Sequence, residues 1–66
     1  MTILGISAFY HDSAAALIMN GNIVAALEEE RFTRIKHDNA FPNKAIQRVL
    51  QVANITIEDV DVVAYY

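Results

Sequence analysis

The chain has 66 residues, 55% of them hydrophobic, with five basic against eight acidic residues and a net charge of −3. That balance describes a packed chain rather than a disordered one, and it carries no basic footprint for nucleic acid. Cysteine is absent, which excludes a disulfide framework and a zinc–thiolate site and suits the cytosol. No cationic leader opens the chain and Asn20, Gly21 and Asn22 interrupt its apolar runs. A cytoplasmic protein is expected, with neither signal peptide nor membrane span.

The first three apolar runs, Thr2–Phe9, Ala14–Met19 and Ile23–Leu27, have strand length. Asn20-Gly21 between the second and third is the preferred pair for a two-residue hairpin turn. None alternates cleanly between apolar and polar, as befits strands covered on both faces. Glu28–Asn39 is charged, with Phe32 and Ile35 interspersed, and reads mostly as loop. Pro42 then stands in the first turn of a helix, where its missing N–H costs nothing. Ala45, Ile46, Val49, Leu50 and Ala53 form one apolar stripe at helical spacing. Asn54 stops that helix, Thr56–Asp59 reads as a small capped turn, and Val60–Tyr66 as a final strand.

The predicted order is β-β-β-α-β, an α/β arrangement with the last strand parallel to one of the first three. A single amphipathic helix covers one face of such a sheet. The other face would remain an apolar patch of a kind that monomers seldom leave open, and a chain this short buries only about 60% of its unfolded surface. The expectation is therefore one piece, residues 1–66, of a single larger domain. The remainder of the same polypeptide is its expected partner, with self-association of the isolated piece through the uncovered sheet face as the substitute.

Hairpin arithmetic places the polar residues. With Asn20-Gly21 as the loop, Met19 faces Asn22 and paired numbers sum to 41, so position 13 faces 28 and His11 faces Glu30. Glu28–Lys36 then emerges beside Tyr10–Ser13. A loop of Tyr10, His11, Asp12 and Ser13 faced by Arg31, Arg34, Lys36 and His37 offers anion contacts and proton transfer. Histidine serves as a base near neutral pH, hydroxyl and N–H groups of a tight turn can cradle phosphate, and cations stabilise oxygens as charge develops on them. Each group also has an ordinary role. Asp12 can bond its own backbone, and Arg31, Arg34 and Lys36 can pair with neighbouring glutamates for little gain. Glu28-Glu29-Glu30 reads as a solvated strand end in preference to a metal site, and Tyr65 and Tyr66 as buried or interface aromatics. Spacing leaves these alternatives open.

The string Ile3-Leu4-Gly5-Ile6-Ser7 through Tyr10-His11-Asp12-Ser13-Ala14-Ala15-Ala16, then Glu28-Glu29-Glu30-Arg31-Phe32-Thr33-Arg34-Ile35-Lys36-His37-Asp38 and Phe41-Pro42, resembles the N-terminus of O-carbamoyltransferases of the nodulation and antibiotic-tailoring type. The resemblance covers essentially the whole chain. It implies a portion of an actin-like ATPase (ribonuclease H-like) domain, and a fragment inactive alone. It further implies that ATP and carbamoyl phosphate are substrates, giving carbamoyl adenylate, from which the carbamoyl group passes to a hydroxyl-bearing small-molecule acceptor. In that light His11 matches a general base acting on the acceptor hydroxyl, and Lys36 a contact to the adenylate or carbamoyl group. Asp12 matches an orienting or substrate-contacting group, and Ser13, in the loop facing the nucleotide, a cofactor-binding residue. A divalent metal, iron in this reading, is implied for the whole enzyme with His and Asp ligands outside this chain. A kinase-like ATPase of the same fold is disfavoured, because Phe9-Tyr10-His11-Asp12 lacks the glycine of an acidic-Gly-Thr phosphate loop. A stand-alone α/β dimerisation module is the alternative from another class.

Overall fold

In the computed structural model, which describes residues 1–8, 12–34 and 40–65, the three apolar runs become β1 (Thr2–Ser7), β2 (Ala14–Met19) and β3 (Asn22–Glu28). Asn20 and Gly21 make the turn between β2 and β3, both at positive φ (53° and 84°), as a type I′ hairpin loop demands. A short helix α1 (Glu30–Thr33) follows β3, then α2 (Asn43–Ala53), a 3₁₀ turn over Ile57–Asp59 and β4 (Val62–Tyr65). The sheet order is β3-β2-β1-β4. The first three strands form an antiparallel meander, and β4 lies parallel to β1, with Ile3 opposite Val62 and Ile6 opposite Tyr65.

This is the expected β-β-β-α-β order, with three local differences. Part of the predicted loop is helical, because Glu30 to Thr33 close one turn that ends at Arg34 in the left-handed region (φ 62°). Pro42 is the N-cap of α2 rather than a residue within its first turn. The hairpin register also slips. Met19 faces Asn22 and Ile18 faces Ile23, but Leu17 faces Ala25, so Val24 is an extra residue and the strand bulges there. Beyond the bulge Ala14 faces Glu28, one position from the regular hairpin register.

Strand pairing sorts the side chains into two faces. Leu4 and Ile6 of β1 lie beside Leu17 and Ala15 of β2. Together with Ala45 and Val49 of α2 they form the buried core. The apolar stripe of α2 is therefore what covers this face, and burial of such a stripe supplies most of a short helix's stability. The opposite face presents Ile3, Gly5, Ala16, Ile18, Ile23, Ala26, Val62 and Ala64. Among the described residues only α2 is long enough to cover a face, and Ile23 and Val62 stand exposed on the other.

The ends of α2 are satisfied by different means. At its C-terminus Asn54 adopts the left-handed conformation (φ 58°), its N–H bonding Gln51 O at 3.0 Å while Ile55 N–H bonds Leu50 O at 3.1 Å. That is a Schellman arrangement, which consumes the last free carbonyls. The N-terminus has no cap of its own: Pro42 offers no side-chain acceptor, and the first turn holds no acidic residue. Its orphan N–H groups are met instead by Glu29, whose carboxylate accepts from Ala45 N–H at 2.8 Å and Lys44 N–H at 3.3 Å. Glu29 is buried, only 4% exposed. The solvated strand end expected for Glu28-Glu29-Glu30 is thus wrong at its middle residue, because the turn after β3 rotates that side chain inward onto a helix N-terminus that attracts negative charge.

Two stability effects follow, both read by equilibrium denaturation. Glu29→Ala should cost about 1–3 kcal/mol, since it leaves the Ala45 N–H buried without its acceptor, and Glu29→Gln should cost less because one acceptor oxygen remains. Asn54→Gly should leave stability unchanged or raise it, whereas Asn54→Val should cost about 1–2 kcal/mol for forcing a β-branched residue into the left-handed region.

Candidate functional site

Because β1, β3 and β4 run in the same direction, their carboxyl ends share one rim of the sheet. Ser7 ends β1, Glu28 ends β3 and Tyr65 ends β4, and the 8–13 and 29–42 connections both spring from that rim. In open α/β sheets this is where ligands bind. The expected candidate residues lie in these two connections.

Ser13 holds them together. It is 1% exposed, and its hydroxyl donates to the Ala40 carbonyl. Its own carbonyl accepts from Glu29 N–H at 2.8 Å, continuing the β2–β3 ladder one step beyond the strands. Glu29 in turn accepts at its carbonyl from Phe32 N–H (2.9 Å) and Thr33 N–H (3.1 Å), which winds α1, while its carboxylate seats α2. One buried serine and one buried glutamate thus join four segments. Ser13 follows His11 by two positions and Ala40 follows Lys36 by four, so the clamp fixes described residues close in sequence to both candidates. His11 and Lys36 themselves lie outside the described residues, as do Tyr10 and His37.

Asp12 is half-buried at the same rim. One carboxylate oxygen from each of Asp12, Glu28 and Glu30 falls within 4.8 Å of the others. The structure therefore brings Asp12 against Glu28 and Glu30 of the segment expected to face it. An all-carboxylate set is the donor chemistry of hard cations. Exposed acids also gather without any ion. Among the described residues no buried side-chain oxygen or nitrogen lacks a partner. Arg31, exposed on α1, adds a cation to this corner. With Glu28, Ser7, Gly5, Ala14, Ala16 and Ala26 it borders a concavity of about 470 Å³ on the sheet face opposite α2. The floor is made of small residues, so the backbone is approachable there.

The residue that sequence reasoning missed is Glu29. The signal for it was indirect: Pro42 brings no capping side chain and the first turn of the helix it opens holds no acid, so the free N–H groups there are met from elsewhere. Among the described residues no helix is long and apolar enough to cross a membrane.

The family model for the carbamoyltransferase N-terminus matches residues 2–66. The chain is similar to the uncharacterised protein sll1178 of Synechocystis, 58% identical over 64 residues that cover 97% of this chain and 10% of that protein. It is similar to the nodulation protein NolNO of Sinorhizobium fredii, 48% identical over 58 residues, 88% of this chain and 8% of that one. It is also similar to an uncharacterised 19.2 kDa protein from the syrM 5′ region of Rhizobium etli, 43% identical over 60 residues, 91% of this chain and 35% of that one. The chain thus spans about a tenth of the length of the first two relatives and about a third of the third. The match runs through both rim connections and the strands and helix that carry them, and the chain belongs to the carbamoyltransferase N-terminus family.

Proposed function

We propose that this chain supplies one wall of an ATP-dependent O-carbamoyltransferase site, within the first part of an actin-like ATPase domain, and is inactive without the rest of the enzyme. The observation that carries the reading is the family match across residues 2–66, joined to a clamp that ties the connection after β1 to the one after β3. The mixed sheet, an antiparallel meander with a fourth strand parallel to the first, is compatible with such a domain.

In this reading water cleaves carbamoyl phosphate to carbamate and phosphate. The carbamate oxygen attacks the α-phosphorus of ATP to give carbamoyl adenylate with pyrophosphate leaving, and the acceptor hydroxyl oxygen then attacks the carbamoyl carbon. The bond from that carbon to the AMP oxygen breaks, AMP leaves, and the hydroxyl proton passes to His11. Imidazole suits this task because it is substantially neutral, and so basic, at pH 7. Lys36 holds the negative oxygens of the adenylate or carbamoyl group. Asp12 orients the acceptor or His11. Ser13 serves the nucleotide-facing loop from within, since its hydroxyl is already given to Ala40 and its contribution is to hold the loop rather than to touch phosphate.

The divalent metal of the whole enzyme takes His and Asp ligands from outside this chain. The carboxylate trio at the rim has a different donor set and is not that site. What these residues supply is proton transfer and anion contact.

The test uses the full-length enzyme, with adenylate formation and carbamoyl transfer measured separately. His11→Asn should lower transfer by about 10²-fold or more, the range for loss of a general base, and leave adenylate formation nearly intact. Lys36→Ala should weaken use of the activated carbamoyl group by about 10–100-fold, the value of a charged hydrogen bond. Undiminished transfer by the His11→Asn enzyme would remove the base from the scheme.

A further inference from the structure

Strand β3 is an edge of the sheet, paired with β2 alone. One step past the pair of Ala14 with Glu28, Glu29 N–H bonds the Ser13 carbonyl directly across the ladder. Hydrogen-bonded pairs alternate from there in an antiparallel ladder. Leu27 and Ala25 therefore use their N–H and C=O groups on β2, opposite Ala15 and Leu17, while Ala26 and Glu28 turn theirs outward. The bulge at Val24 breaks this pattern, so the usable edge is the stretch beyond it.

Between this edge and α2 lies a groove of about 690 Å³, lined by residues 25–27 of β3, by Phe32 of α1 and by Val52 of α2. Arg31, Arg34 and Arg48 line it too, all three exposed. They are three of the five basic residues in a chain of net charge −3, and no acidic residue among those described lines the groove. Charge at a sheet edge keeps apolar strands from pairing there. The same charge favours a strand of opposite sign.

We propose that the β3 edge is a docking site for an extended acidic segment of a partner protein, which adds to the sheet as a strand and sets carboxylates on Arg34 and Arg48. Main-chain bonds to Ala26 and Glu28 supply the pairing, and side chains supply the choice of partner. The two faces of the added strand have different demands. Ala25 and Leu27 pack against the core, so side chains placed beside them lie on the α2 side, where the arginines are. Side chains placed beside Ala26 and Glu28 lie on the other side, where the Glu28 carboxylate repels acids. The segment that fits thus carries acids at every second position and uncharged residues between them. A small anion would use the arginines but leave the edge groups unpaired. The inference rests on the edge and its charge, and is independent of the reaction assigned to the rim.

The test uses the full-length enzyme and a six-residue fluorescent peptide of alternating glutamate and valine. In the enzyme alone, the amides of Ala26 and Glu28 should exchange about 10-fold or more faster than those of Ala25 and Leu27, and the peptide should slow them. Edge amides already slow before the peptide is added would mean that the enzyme's own polypeptide covers β3, and the proposal would be overturned. Fluorescence anisotropy at low ionic strength should show binding that weakens about 10-fold or more on Arg48→Glu, and again when Arg34→Asn is added. Asparagine keeps the left-handed conformation of position 34, so that change removes charge without straining the turn. Two control peptides separate pairing from charge. One replaces glutamate with lysine, and the other carries a methyl group on every backbone nitrogen. Both should bind about 10-fold or more weaker. Equal binding by either control, or no binding by the acidic peptide, overturns the proposal.

Discussion

The buried carboxylate of Glu29 is the constraint on which the arrangement of this protein depends. A charge removed from water needs partners that replace its hydration. Here they are the free N–H groups at the start of α2, reinforced by the helix dipole. The helix in turn has no cap of its own, so each half of the contact supplies what the other lacks. Because the backbone of Glu29 also continues the ladder from Ser13 and begins the turn of α1, one residue sets where β3 ends, where α1 starts and how α2 approaches the sheet. Ser13 adds the second tie, through Ala40. The two connections that bear the candidate chemistry are fastened at these points.

The sheet between them has two unlike faces. Large side chains from β1 and β2 meet the apolar stripe of α2 on one. On the other, Gly5, Ala14, Ala16 and Ala26 leave the backbone near the surface toward the rim, and Ile3, Ile18, Ile23 and Val62 lie toward the opposite end. The carboxyl ends of β1, β3 and β4 converge on a single rim, and it is this convergence that brings connections far apart in sequence side by side. A carbamoyl-transfer reading assigns the rim a base and a cation from this chain, and leaves the rest of the active site to the larger enzyme. The open concavity is a surface that a much longer polypeptide has the length to cover.

Much of the local structure was legible because its causes are local. Asn20-Gly21 accept positive φ, so the hairpin follows. The stripe from Ala45 to Ala53 makes a helix, and Asn54 ends it by accepting the left-handed conformation. Thr56 and Asp59 close their own small box, with Thr56 N–H on the Asp59 carboxylate at 2.9 Å. The hairpin register was legible only as far as Ile18 opposite Ile23, because one inserted residue at Val24 shifts every pair beyond it and no residue type announces a bulge in a uniformly apolar strand.

By itself, then, the sequence determined the order of elements, the turn and cap residues, the parallel sense of the last strand and, through its motifs, the family. Those properties depend on near neighbours in the chain or on residue identity. Only the tertiary structure decided that Glu29 is buried while Glu28 is exposed, that Ser13 is a tie between connections, and that Asp12 meets Glu28 and Glu30. Each of these depends on which way a side chain points after the chain has bent twice. Three consecutive glutamates look alike until a helix N-terminus 14 residues further on chooses one of them.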